Sequence, residues 1–263
     1  MVLKLSPIVL ICMLISFSFS AQTSEKHQKI IEQYADSCAH KQPLFSHKWQ
    51  QCLDEGLQAD STIAYLWQQK AMPLFKQRKY ELGMVYIDKA VQFDRNRYQD
   101  YRAFIKCIFA KTYKEAIADF EDCKARYGNR YVMDHTYDFY IGLCHLQLNN
   151  YIEAEKCFKG YIAEMQVRGE DWVHPTALFY YGVAVYEQER YDEAIKIFDR
   201  ALKNYDNFSD VKYYKAMCYY NKEDMDNATL WYKEWQKDAK EGFTINEDNV
   251  AYETYPYQIV SKN

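Results

Sequence analysis

The sequence predicts an all-α chain, a solenoid of antiparallel helix hairpins, and three observations carry that expectation. The first is a recurring pair of anchor positions, mostly small residues. Ala71 is followed twelve positions later by Gly83, Phe104 by Ala116, Gly142 by Ala154, Gly182 by Ala194 and Ala216 by Ala228. Successive pairs are offset by 33, 38, 40 and 34 residues, whichever member is counted. The second is that apolar residues recur at three- and four-residue steps, as amphipathic helices require. The third is composition. The 263 residues include only 8 Gly and 5 Pro against 49% hydrophobic residues, too few turn-formers for a β-rich or loop-rich fold.

Each pair reads as one hairpin. A small residue in the middle of the first helix is expected to face a small residue early in the second, so that the backbones approach closely. Gly182 against Ala194 is the clearest case. A third small residue, such as Ala90 or Ala201, receives the next hairpin, and Phe120, Phe158 and Phe198 fill the space beside these contacts. The abundance of tyrosine, 26 residues, suits half-buried helical faces and binding surfaces, because the ring is apolar and its tip polar.

These units resemble tetratricopeptide repeats, whose helix–turn–helix pattern runs Trp-x-x-Leu-Gly-x-x-Tyr, then Ala-x-x-x-Phe, then Ala and Pro. Trp67, Gly142, Gly182 and Tyr219 take the matching places. Lys79-Tyr80-Glu81, the run from Asn150 to Ala154 and the run from Arg190 to Ala194 look like the inter-helix turn and the start of the second helix. Phe104 stands where a small residue is usual, so its unit is expected to splay or repack. The closing Pro is missing, and Pro73 falls inside a first helix and is a candidate kink. The resemblance implies a right-handed α-solenoid whose first helices line a concave, peptide-binding face.

The array is expected over residues 21–242, with units at 64–96, 97–134, 135–174, 175–208 and 209–242. A degenerate unit precedes them at 30–63, built on Tyr34, Trp49 and Leu53. Extra residues at 126–132 and 166–175 are expected to form longer loops after second helices. Since no unit buries its face alone, one cooperative stack is expected.

Residues 1–20 read as an export signal. Lys4 gives a basic start, Ile8 to Ile15 form an apolar core too short to span a bilayer, and Ser18 and Ser20 precede a cleavage point before Ala21. Bulky residues before Cys12 argue against lipidation there. The expected location is periplasmic or secreted, with no transmembrane segment after signal removal. The cysteines beyond the signal are seven: Cys38, Cys52, Cys107, Cys123, Cys144, Cys157 and Cys218. Most are expected as small core residues, with room for one or two disulfides.

No catalytic motif emerges. A phosphate loop, a Gly-x-Ser-x-Gly elbow and a His-Glu-x-x-His pair are all missing. The histidines are scattered, and Cys38, His40 and His47 share nothing but proximity in sequence. Formal net charge is −4, without a basic block, which argues against nucleic acid. The expectation is a non-enzyme with no cofactor and no metal ligands.

The informative surface is the inner groove. Three rows of first-helix positions, at −3, +1 and +4 from the central anchor, are expected to line it. Their members are Tyr101, Ile105 and Ile108; Phe139, Leu143 and Leu146; Phe179, Val183 and Tyr186; and Tyr213, Met217 and Tyr220. The Lys, Asn and Arg that clamp a C-terminal carboxylate in other family members are missing from these rows. Three occupants compete: a partner's helix or strand, the rows themselves in a tight superhelix, or the chain's own end.

That end, residues 243–263, breaks the period. Gly242 reads as the stop of the last helix. Residues 246–253 are expected to make one short helix, and Tyr252, Tyr255, Tyr257, Ile259 and Val260 make the tail aromatic and apolar. A cap over the last repeat is the leading expectation. Insertion into the groove, of this chain or a neighbour's with self-association, is the alternative. The function expected is a protein–protein interaction scaffold that binds a partner's peptide or helix in an aromatic concave groove. The alternative is an envelope structural or assembly component acting through its outer face and termini.

Overall fold

The computed structural model describes residues 24–260, and the export signal read at residues 1–20 lies outside them. Almost all of the regular structure is helical. Residues 24–31 form α1, which continues into a π-turn at Glu32–Asp36. There follow α2 (His47–Ala59), α3 (Ala64–Lys76), α4 (Tyr80–Phe93), α5 (Arg95–Ile105), α6 (Tyr113–Tyr127), α7 (Tyr137–Gln147), α8 (Tyr151–Gln166), α9 (Pro175–Tyr186), α10 (Tyr191–Asn204), α11 (Ser209–Asn221) and α12 (Met225–Lys240). Helices α3 and α4, α7 and α8, α9 and α10, and α11 and α12 pack as sequential hairpins. The class is an all-α helical-repeat solenoid. The chain divides into two compact units, one ending at Tyr98 and one beginning at Gln99.

The hairpin turns show how the period is written into the backbone. Arg78, Lys111, Asn149, Glu189 and Glu223 all have positive φ, between 57° and 62°. They stand 33, 38, 40 and 34 residues apart, the spacing of the anchor pairs. Each closes a first helix in the left-handed conformation. At four of the turns the next residue donates back five positions: Lys79 to Leu74, Asn150 to His145, Arg190 to Val185 and Asp224 to Tyr219. These are the bonds that satisfy orphan carbonyls at a helix end.

The fifth turn explains Phe104. There Thr112 donates six positions back, to Lys106, because Lys106–Ala110 is a π-turn carrying one extra residue. The unit repacks around Phe104. Its buried ring lies edge-on to Phe109 and Tyr140, at 6.1 and 5.4 Å between centroids. At Pro73, α3 continues one turn further to Lys76.

Small residues open the space, and aromatic rings fill it. A β-carbon on Gly182 would meet Phe198 Cε1 at 2.3 Å, and one on Gly83 would meet Phe75 Cε1 at 2.5 Å. The space beside Gly182 is filled by the Phe198 ring, as the sequence led one to expect, one helical turn beyond Ala194.

The unit ending at Tyr98 contains the degenerate hairpin. Trp49, Cys52, Leu53, Leu57 and Leu66 form its core, with Tyr34 packed alongside. A disulfide joins Cys38 to Cys52, with 5.8 Å between their Cα atoms. Closing a loop of that size stabilises by roughly 2–4 kcal/mol. Cys107, Cys123, Cys144 and Cys218 are buried free thiols, and Cys157 is half-buried.

The unit beginning at Gln99 carries the long loops. Tyr131–Val132 and His135–Thr136 pair as a minimal antiparallel hairpin, with Val132 opposite His135. Met133, at φ 51°, starts its two-residue turn. The second loop holds a 3₁₀ turn, Glu170–Trp172.

Candidate functional site

The expected groove rows lie mostly in the interior. Ile105, Ile108, Phe139, Leu143, Leu146, Phe179 and Val183 are buried. Tyr101, Tyr186, Tyr213 and Met217 are half-buried, and Tyr220 is exposed. Helical geometry gives the reason. At about 100° per residue, positions −3, +1 and +4 lie roughly 60°, 100° and 40° from the central anchor. That anchor is itself a packing contact, so the rows flank the packing face and do not stand opposite it.

The chain's own end packs against several first-helix residues of this unit. After α12, Gly242 turns the backbone at φ 86° and Phe243 donates to Asp238 O. Residues 243–260 then return across α11, α9 and the starts of α7 and α6. The short helix expected at 246–253 is not formed. The segment runs through isolated turns, as when Val250 donates to Glu247 O. The tail lies against α11 of the last repeat, at Asp210 and Tyr214, and leaves part of α12 uncovered. Met225, Leu230 and Tyr232 of α12 remain exposed.

Asp210, in the first turn of α11, is the main anchor. Its carboxylate accepts from Ile245 N at 3.0 Å, Thr244 Oγ1 at 2.8 Å and Ile259 N at 2.6 Å. Burial pushes the Asp210 carboxyl up from its ordinary value, and these donors oppose the rise. On α9, the buried Tyr180 hydroxyl donates to Pro256 O at 3.0 Å. Lys111 pairs with Glu253 at 3.0 Å. Ile245 and Tyr255 are buried side chains that seat the segment, and Tyr257 lies 6.0 Å from Tyr214. Most of these protein groups recognise backbone or a single side chain of an extended segment, a mode tolerant of sequence.

A second feature was not legible from the sequence. His135 Nε2 lies 3.0 Å from Glu247 Oε1, and His135 Nδ1 lies 3.1 Å from the Tyr161 hydroxyl. His174 Nδ1 is 3.7 Å from the same Glu247 oxygen and accepts from Thr176 N at 3.3 Å, capping α9. Burial, with His135 beside it, holds His174 down at about 4, so its ring is neutral. Burial alone would raise Glu247. The hydrogen bond and charge of His135, with lesser help from His174 and Thr176, outweigh it and hold that carboxyl below its ordinary value. The two histidines come from the two long loops and the glutamate from the tail, so no spacing rule connects them. Cys38 and His40 are otherwise engaged, in the disulfide and in contacts with Asp36 and Gln69.

Among the described residues, no helix is long and apolar enough to cross a membrane. Residues 167–208 match a tetratricopeptide repeat family model. None of the curated proteins matches the chain by sequence. A tetratricopeptide repeat protein from Parabacteroides merdae superposes with a TM-score of 0.61 at 16% identity, over 87% of this chain and 83% of that one. MamA from Desulfovibrio magneticus gives 0.57 at 13% identity, over 68% and 96%. YrrB, a tetratricopeptide repeat protein described as having an unusual peptide-binding site, gives 0.51 at 18% identity, over 71% and 91%. The repeat period, the hairpin turns, the family match over residues 167–208 and the shared fold agree on a helical-repeat fold like that of tetratricopeptide repeat proteins.

Proposed function

We propose that this protein is a non-catalytic interaction scaffold that binds an extended, aromatic-rich segment of a partner protein on the first-helix face of residues 99–260. The single observation that supports it is the seating of the chain's own tail there, with Asp210 gripping the backbone at Ile245 and Ile259. That tail is the template for the ligand. It is an extended path with buried side chains at intervals, read largely through main-chain groups. The peptide-binding site named for YrrB, a protein of the same fold, points the same way. The partner competes with the tail, and the affinity observed is the difference between the two.

The reading includes export to the periplasm or the medium. The Cys38–Cys52 disulfide supports an oxidising compartment, and the hydrophobic start at residues 8–15 supports a signal.

The test is a chain ending at Gly242, titrated with a synthetic peptide of residues 243–263. A folded truncated chain that binds the peptide one to one supports the reading. A truncated chain that unfolds, or folds and ignores the peptide, overturns it. The second reading, an assembly role through the outer face, has its own observation in the exposed Met225, Leu230 and Tyr232 of α12. If that reading holds, Leu230→Glu removes partner capture and leaves peptide affinity unchanged.

A further inference from the structure

We propose that His135, His174 and Glu247 form a binding site for a divalent first-row transition metal ion, and that the ion pins the C-terminal segment in place. One ligand atom from each residue can be chosen so that all three lie within 4.8 Å of one another. Nitrogen and oxygen ligands about 2.0–2.2 Å from a tetrahedral ion lie about 3.4 Å apart. The two His–Glu separations here, 3.0 and 3.7 Å, bracket that value. The two imidazoles lie 5.0 Å apart between centroids, so an ion enters as the partly exposed His174 ring moves toward His135 and Glu247.

The surroundings suit a cation. The His135 and Glu247 side chains are 1% and 2% exposed, whereas His174 is 37% exposed and leaves a way in.

The outer partners are also present. Tyr161 faces Nδ1 of His135 at 3.1 Å. With metal on Nε2, Nδ1 carries the proton and donates to the tyrosine oxygen, which fixes the ring. Glu247 takes a hydrogen bond from the Thr176 side chain. An ion would displace two interactions, the His135 Nε2–Glu247 Oε1 hydrogen bond at 3.0 Å and the long bond from Thr176 N to His174 Nδ1 at 3.3 Å. A set of two imidazoles and one carboxylate suits zinc and its first-row neighbours and leaves a coordination position for water.

Zn²⁺ is the probe. The full chain is stripped with chelator and titrated calorimetrically, with helical content followed by circular dichroism. The expected result is one ion per chain. His174→Ala and Glu247→Gln should each weaken it at least tenfold, and Tyr161→Phe by about 10- to 100-fold. Zn²⁺ should also slow carboxypeptidase trimming of the tail in the parent and not in His174→Ala. His174 also caps α9, so circular dichroism of His174→Ala is the control that its helices persist. The proposal is overturned if the parent takes up no stoichiometric Zn²⁺, leaving His135 and Glu247 as a hydrogen-bonded latch. It is equally overturned if a helical His174→Ala chain keeps the parent affinity. Peptide binding by the chain ending at Gly242, which lacks Glu247, is read without metal, so the two proposals fail independently.

Discussion

Gly182 and Phe198 share one space: a β-carbon on the glycine would lie 2.3 Å from the ring of the phenylalanine. The close approach of α9 and α10 depends on that missing carbon. Gly182→Ala should destabilise the protein by about 1–3 kcal/mol, the usual cost of overpacking a filled core. Phe198→Leu in the same chain should recover part of the loss. Urea denaturation of the two single variants and the double variant gives the coupling. Additive losses would show that the two sites do not share space.

Glu189 holds φ 59° at the turn between α9 and α10. A side chain in that conformation costs about 1–2 kcal/mol, part of which glycine gives back through the entropy of the unfolded chain. Glu189→Gly should therefore stabilise by about 0.5–1 kcal/mol. Asn149→Gly, at the equivalent turn, should gain less, because asparagine already tolerates the left-handed region. The midpoints of urea unfolding order the three proteins.

Asp119 lies buried on α6, and its carboxylate accepts from Arg102 Nε at 2.8 Å and from Lys106 Nζ at 2.7 Å. Burial pushes its pKa up, but the two cations outweigh burial and hold it below the ordinary value. A carboxyl with a depressed folded pKa stabilises fully above its unfolded pKa. That contribution is lost as pH falls through the folded pKa. The parent should lose stability below about pH 4, the ordinary carboxylate range. Asp119→Asn should be less stable near neutrality and show a shallower acid slope. Thermal melts from pH 7 to pH 3 measure both. Parallel slopes in the two proteins would mean that Asp119 does not contribute to the acid loss.

Asp210→Asn replaces an acceptor of three tail donors with a group whose amide nitrogen has no acceptor to face. Each bond to the charged carboxylate contributes about 1.5–3 kcal/mol. Amide exchange across residues 243–260 should accelerate at least roughly tenfold, the equivalent of about 1.4 kcal/mol. Exchange in α7 and α8 should be unchanged. Uniform acceleration would mean that Asp210 supports the whole unit and not the tail alone.

The positions legible in the sequence share a physical origin. The anchor pairs, the hairpin turns and the stop at Gly242 are set by residues within a few turns of one another. Helical periodicity and left-handed termini are local properties. The rows Phe139, Leu143, Leu146 and Phe179, Val183 were identified as apolar first-helix positions, and they are. Their burial was not readable, because it depends on which neighbouring elements pack against them: Phe139 meets Phe158, Tyr161 and Tyr180, and Phe179 meets Phe208 and Tyr214. At Gly182 both the small residue and the Phe198 ring that fills its space were legible, because they lie within one hairpin.

The sequence by itself determined the repeat, its period of 33 to 40 residues and the all-α class, because each hairpin is encoded by near neighbours along the chain. Only the tertiary structure decided where the tail goes and which polar groups meet. Tyr180 and Pro256 are 76 residues apart, His135 and Glu247 112, and Lys111 and Glu253 142. No periodic pattern reaches that far. Stacked hairpins carry such groups onto one surface through their packing, and residues 243–260 find their place only once that surface exists.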